Sequence, residues 1–150
     1  MMATTDRDLF GGYLDAWNAH DPAAVARYLA DDAIYEDVAL GRVLHGPSEI
    51  AAFVEEATRA SSDFRFEEVS LFTAGGAYAN EWIMTGTNDR EVQGIPATGR
   101  SFRVGGRRLA DSMRAGGLSR IGTTTTWPRC SRSLVSSHPL RRSLHRYAGR

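Results

Sequence analysis

The sequence predicts an α+β fold in which three helices cover one face of a curved antiparallel sheet. Three observations point there. Apolar residues recur at helical spacing in three separate stretches before residue 60. After Ser61-Ser62-Asp63 the apolar period changes to two, as half-buried strands require. Helices followed by a run of strands imply an α+β arrangement, not an alternating parallel one.

In the first helix, Phe10, Tyr13, Leu14 and Trp17 share a stripe. Thr5 to Asp8 resembles a capping box with Asp in place of the usual Glu or Gln. Gly11 and Gly12 each cost this helix about 1 kcal/mol relative to Ala, so they suggest close packing or a wide groove. Asn18 to Asp21 ends it. Asp21-Pro22 opens a second helix, with Asp as N-cap and Pro in the first turn, and Val25, Tyr28 and Leu29 form its apolar face. Asp31-Asp32 breaks to a short strand over Ala33–Asp37. His45-Gly46-Pro47-Ser48 turns into a third helix striped by Ile50, Phe53, Val54 and Ala57.

In the strand region, Phe64 and Phe66 have one parity and Val69 and Leu71 the other, so a bulge or bend is expected at Glu67-Glu68. Gly75-Gly76 makes a hairpin turn. Ala77–Asn88 is a long strand with Tyr78, Asn80, Trp82 and Met84 on one face and Glu81 on the other. Residues 89–98 read as a loop, and a strand resumes over Arg100–Val104.

Charge divides the chain at that point. Residues 1–104 hold 17 acidic side chains and 8 Arg, whereas residues 105–150 hold one acid, Asp111, and 10 Arg. The net charge of zero is a cancellation. There is no Lys. The expected organisation is an ordered domain over 1–104 and an aberrant basic, low-order tail over 105–150. At 150 residues the chain is long enough for one domain with a real core. No apolar run approaches a membrane span and the polar start is unlike a signal peptide, so a cytoplasmic location with no membrane partner is expected. The single Cys130 excludes an internal disulfide, and no Cys/His spacing resembles a metal site. The tail has charge but little aromatic interleaving, which argues against nucleic acid as a partner.

The run Tyr13-Leu-Asp-Ala-Trp-Asn-Ala-His-Asp-Pro-Ala-Ala-Val-Ala-Arg-Tyr-Leu-Ala-Asp-Asp-Ala-Ile-Tyr-Glu-Asp37 resembles the opening of SnoaL-like polyketide cyclases. These belong to the cone-shaped superfamily of nuclear transport factor 2, which also includes the ketosteroid isomerases. Trp82-Ile-Met-Thr-Gly-Thr-Asn88 and Gly94-Ile-Pro-Ala-Thr-Gly-Arg100 agree with it. The resemblance covers about residues 6 to 104. It implies a curved sheet wrapped around a pocket, a hydrophobic small-molecule ligand, no cofactor, and room for a homodimer. The implied chemistry is proton transfer beside a carbonyl, with a carboxylate base and donors that stabilise an enolate.

Carried over by position, Asp37 stands where the isomerases place their base, and Tyr13 where they place an enolate-stabilising tyrosine. Each has a plainer reading: Asp37 as the cap of a turn, Tyr13 as a core residue on the stripe of Phe10 and Trp17. Trp17, Trp82, Met84 and Asn88 are the expected substrate-binding residues, with a core role for Trp82 equally open. The cyclases' His corresponds to Asn88, which donates a hydrogen bond but does not shuttle protons near neutrality. The acids that both subfamilies carry on a later strand have no counterpart just past Val104. His20 and His45 read as turn residues, and Arg100 as a partner for nearby acids or an acidic ligand. A non-catalytic binding module and an inactive truncated product are the rival classes.

The segment after Val104 admits a further reading. Taken from the third base of each preceding codon, Gly122 to Thr126 gives four codons of form NAC, which encode only Tyr, His, Asn or Asp. Thr126-Trp127 gives Met, Leu or Val, Trp127-Pro128 gives Ala, and Pro128-Arg129 permits Thr. Related final strands commonly end Asp-Tyr-Tyr-Asp-Met-Ala-Thr, which fits. A slip of reading frame near Val104-Gly105 would leave the last strands missing or degraded, and Cys130, His138 and His145 without selected roles.

Overall fold

The computed structural model describes residues 6–91, 94, 96–111 and 117–126. Its elements are α1 (Asp6–Asn18), α2 (Pro22–Ala26), β1 (Leu29–Asp37), β2 (Arg42–His45), α3 (Gly46–Arg59), β3 (Arg65–Ala74), β4 (Ala77–Thr87), β5 (Ser101–Asp111) and β6 (Leu118–Thr126). The six strands form one sheet in the order β2-β1-β6-β5-β4-β3. The sheet is curved and open, with the helices packed on its inner face. Neighbours pair antiparallel except β1 and β6, which run parallel.

The expected three helices are present, each with a local cause. Asp21 caps α2 by accepting from the Ala24 N–H at 2.8 Å. Glu49 accepts from the His45 N–H at 2.8 Å and so ties the start of α3. Gly12 gives α1 its close approach: a Cβ there would lie 2.4 Å from the Tyr28 hydroxyl. Gly11 faces open space instead. Thr5, half of the expected capping box, lies outside the described residues.

The sheet departs from the sequence reading in three places. β1 begins at Leu29, and Asp31-Asp32 fall in a register irregularity between Leu29 and Ile34 instead of ending the preceding helix. β2 was not expected; four residues suffice because they pair antiparallel with β1. The bulge in β3 falls between Glu68 and Ser70, one residue past the expected position. Gly75 and Gly76, with φ of 58° and 85°, make the expected hairpin turn.

The largest correction concerns the last strands. They are not missing, and no structural boundary falls at residue 104. β5 passes through Val104, Gly105 and Gly106 without interruption and pairs with β4 from Thr87↔Ser101 to Tyr78↔Ala110. β6 then pairs with β5 and β1 together and occupies the interior of the sheet. Composition concealed this. Gly105-Gly106 reads as a breaker, yet Gly106 is what allows Trp82 to lie across β5: a Cβ there would stand 2.2 Å from the indole ring. The run of Thr in β6 reads as low complexity, yet Thr is a β-branched residue suited to strands. Residues 127–150, including Cys130, His138 and His145, lie outside the described residues.

Strand register assembles the inner face in cross-strand rows. Tyr78, Ala110, Ile121, Tyr35 and Leu44 form one continuous row across five strands, and all are buried. Two residues further along the strands runs a second row: Asn80, Arg108, Thr123 and Asp37. The apolar row seals the sheet against α1 and α3. Of the polar row, Arg108, Thr123 and Asp37 line the cavity.

Candidate functional site

Packing of α1 and α3 leaves a cavity of about 390 Å³ against the inner face of the sheet. Its walls are mostly apolar, with seven aromatic side chains among them. Trp17 projects from α1, Phe53 from α3, Tyr35 from β1, and Phe66 and Trp82 from β3 and β4. The rings meet edge to face: Phe66 and Trp82 have centroids 5.1 Å apart at 82°, and Trp17 and Phe66 5.4 Å apart at 86°. Such packing fixes ring orientation. Asn18 sets this wall in place, because its side-chain amide pairs with both backbone groups of Phe66, accepting at 2.7 Å and donating at 3.0 Å.

The polar side chains of the lining are Asp37, Glu56, Ser61, Asn88, Arg108 and Thr123, and Glu56 is engaged by Arg42 at 3.2 Å. Asp37 is half-buried at the end of β1. Its Oδ1 accepts from the Leu40 N–H at 3.0 Å, so the carboxylate also caps the β1–β2 turn. Thr123 and Arg108 follow Asp37 along the polar row. Asn88 stands at the rim, where its Oδ1 accepts from the Thr98 N–H at 3.2 Å and shapes the 89–98 loop. Below the rim, Asp63 accepts from the Thr87 hydroxyl, the Ser61 hydroxyl and the Thr87 N–H. These bonds, led by the Thr87 hydroxyl, hold its carboxyl below the usual carboxylate range.

Of the six residues expected from sequence, five line this one cavity: Trp17, Asp37, Trp82, Met84 and Asn88. Tyr13 does not reach it. It is fully buried behind the wall, with its ring 6.5 Å from Trp17 and 5.5 Å from the Arg108 guanidinium. Burial pushes its hydroxyl pKa up. The Tyr35 hydroxyl is pushed up to about 12, again chiefly by burial and against the pull of Arg108. Both tyrosines therefore hold their protons at neutral pH. The other candidates serve structure: His20, at φ 55°, places its Nε2 2.8 Å from the Phe64 carbonyl, and Glu81 pairs with Arg107 on the outer face at 3.2 Å.

Sequence reasoning missed Tyr35, Thr123 and Arg108. Tyr35 was within reach, because it shares the strand parity of Asp37. Thr123 and Arg108 were not, because they stand in the segment read as a tail. Arg108 is the most unusual residue of the site. It is fully buried, and among the described residues none of Nε, Nη1 and Nη2 has a hydrogen-bond partner. Burial works against its charge, but the surrounding Tyr13, Tyr35 and Tyr78 outweigh it and hold the guanidinium above its usual pKa, without hydrogen-bonding geometry to those nitrogens. Asn80, the next residue of the row, is equally unpartnered at both side-chain atoms. Among the described residues, no group of three or more His, Cys, Asp or Glu converges on a metal-sized site. No helix among them is long and apolar enough to cross a membrane.

Helices closing the back of a curved sheet around an apolar cavity define a fold of the nuclear transport factor 2 type. Residues 10–116 match the model of the SnoaL-like domain, and the chain belongs to that family. Solved structures agree on the fold. A protein proposed to be a SnoaL-like polyketide cyclase from Jannaschia sp. CCS1 superposes with a TM-score of 0.70 at 11% identity, over 83% of this chain and 91% of that one. TsrD from Streptomyces laurentii gives 0.70 at 20% identity, over 83% and 90%. A Catenulispora acidiphila protein with a ketosteroid isomerase-like fold, in complex with trimethylamine, gives 0.67 at 19% identity, over 80% and 86%. No curated protein sequence matches the chain.

Proposed function

We propose that this protein performs acid–base chemistry, without a cofactor, on a hydrophobic carbonyl compound, of the cyclase or isomerase type. The observation that carries the reading is a carboxylate, Asp37, opening onto a cavity walled by aromatic rings. In this scheme Asp37 takes the proton from the carbon beside the carbonyl. The C–H electron pair becomes the new C=C bond, the carbonyl π pair moves to the oxygen, and an enolate forms while Asp37 holds the proton. The enolate is then reprotonated at another carbon, or closes a ring by attacking a second carbonyl. Trp17, Trp82 and Met84 hold the apolar body of the ligand, and Asn88 contributes a polar contact at the rim. Tyr13, expected from sequence as the oxyanion donor, stands behind the wall and does not line the cavity, so it is given no part in the step.

The test is exchange of the α-protons of a model ketone, 2-tetralone, into heavy water, followed by NMR. The protein should accelerate exchange, and Asp37→Asn should reduce the acceleration at least 100-fold, within the span typical of a lost base. Asn retains an acceptor for the Leu40 N–H, so the turn stays capped. Equal rates for both proteins would sink the reading.

A second reading, a binding module or an inactive product of a slipped frame after Val104, is favoured by one observation: Arg108 is buried with aromatic rings around it but no hydrogen-bond acceptor among the described residues. Burying an uncompensated charge costs several kcal/mol, which is what an unselected residue in a core position would do. Ligand binding without proton exchange would support the module. Resequencing across codon 104 would test the slip. We include a homodimer in the proposal. Its support is the outer face, where Phe72 and Leu109 fall in one cross-strand row through Ala79 and are 68% and 67% exposed. Light scattering at micromolar concentration would show a monomer if this is wrong.

A further inference from the structure

We propose that the cavity selects an anionic ligand, an apolar aromatic carboxylic acid, and that Arg108 receives its carboxylate. The inference rests on reading the cavity as a small-molecule site, but not on Asp37 acting as a base. Arg108 keeps its charge at any physiological pH and carries five N–H donors in a planar fork. Among the described residues those donors have no acceptor. The nearby carboxylates do not supply one: Glu56, which also lines the cavity, is engaged by Arg42 at 3.2 Å. Glu81, on the neighbouring strand, faces outward and is taken by Arg107. Asp37 stands in the same row but with β6 between them, which separates the two backbones by about 10 Å.

The aromatic rings around Arg108 offset only part of the charge. The guanidinium carbon lies 5.5 Å from the Tyr13 ring centroid, 5.4 Å from that of Phe66 and 6.0 Å from that of Trp82. Ring faces attract a cation, yet they leave its in-plane donors unbonded. A carboxylate meets that need, because its two oxygens match the fork. The remaining lining dictates the rest of the ligand. Phe66 and Trp82 flank the guanidinium and continue into the apolar wall. An acid group attached directly to a flat apolar ring system satisfies both. Arg108 borders the cavity but has no exposed surface, so the carboxylate must enter between the rings and is desolvated as it binds. The contact would then be strong in binding and highly selective against neutral isosteres.

The experiment compares 2-naphthoate with its neutral methyl ester on the full chain at pH 7.5. Quenching of tryptophan fluorescence reports occupancy, since Trp17 and Trp82 line the cavity. The acid is expected to bind at least tenfold more tightly than the ester. Arg108→Met should abolish that preference, and Asp37→Asn should retain it. Equal affinities in the unaltered protein, binding of neither compound, or an undiminished preference in Arg108→Met would each overturn the proposal. Should Arg108→Met not fold, the acid-against-ester comparison on the unaltered protein decides alone. A naphthoate preference that depends on Arg108, together with no Asp37-dependent proton exchange, would leave this inference standing and remove the acid–base reading.

Discussion

Arg108 and Tyr35 carry the most consequential single-residue terms. A buried charge without a partner opposes folding of the unliganded protein, and exchanging buried ionic groups for apolar residues of similar volume often gains about 1–4 kcal/mol. Arg108→Met is therefore expected to raise the urea midpoint of the ligand-free protein. A fall of the midpoint would mean that the guanidinium is compensated in a way the geometry does not show. Tyr35 gives stability a pH dependence of the opposite kind from that of a carboxylate. Its folded pKa is raised to about 12, above the ordinary tyrosine value near 10. Below about 10 both states hold the proton and the contribution is complete. Between about 10 and about 12 the unfolded chain releases its proton while the folded one retains it, so stability falls as pH rises. For a shift of this size the loss is about 2–3 kcal/mol. Urea unfolding at pH 9 and pH 11 should show the fall, and Tyr35→Phe should make it shallower. Tyr13 and Tyr78, both raised by burial, act in the same direction.

At the scale of elements, glycines mark where strands and helices touch. Gly106 brings β5 beneath Trp82, and a Cβ there would also lie 2.6 Å from the Thr124 carbonyl oxygen. Neither the indole nor the backbone has room to give. Gly106→Ala should cost about 1–3 kcal/mol as an overpacked core position. Gly11 is the control: it stands mid-helix in α1, and nothing lies within 4 Å of the added carbon. Gly11→Ala should stabilise by about 0.5–1 kcal/mol, because Gly loses more backbone freedom than Ala on entering a helix. Thermal melts of both variants check the pair, and equal shifts would contradict the packing described. The two glycines look alike in sequence, and only their neighbours separate them.

For the whole molecule the decisive feature is the place of β6. It is the last element among the described residues yet lies between β1 and β5, joining β2-β1 to β5-β4-β3. Without it the sheet divides, and two new edges open along the cavity floor. Exposed edges of this kind pair with other chains. A chain ending at residue 116 would hold the whole of the family match but should show no cooperative unfolding and should aggregate. A sharp transition for that fragment, by circular dichroism, would disprove the role given to β6. The same topology carries the site, because the row of Asp37, Thr123 and Arg108 exists only when β6 fills the gap between β1 and β5.

The sequence by itself determined the helices, the hairpin, the α+β class and five of the cavity-lining residues. These depend on local signals: stripes at helical spacing, Pro and Gly at boundaries, and strand parity that placed Trp82 and Met84 on one face. It did not determine where Tyr13 points or that the sheet continues past Val104. Tyr13 shares its helical stripe with Trp17, and a stripe several residues wide holds both wall and core. After Val104 the local signals are poor, since Gly, Arg, Ser and Thr give little periodicity. The strands form there because β1 and β4 present backbone donors and acceptors on either side of a gap that β5 and β6 fill. Hydrogen bonding between distant segments, which no local pattern records, decided both the closure of the sheet and the burial of Arg108.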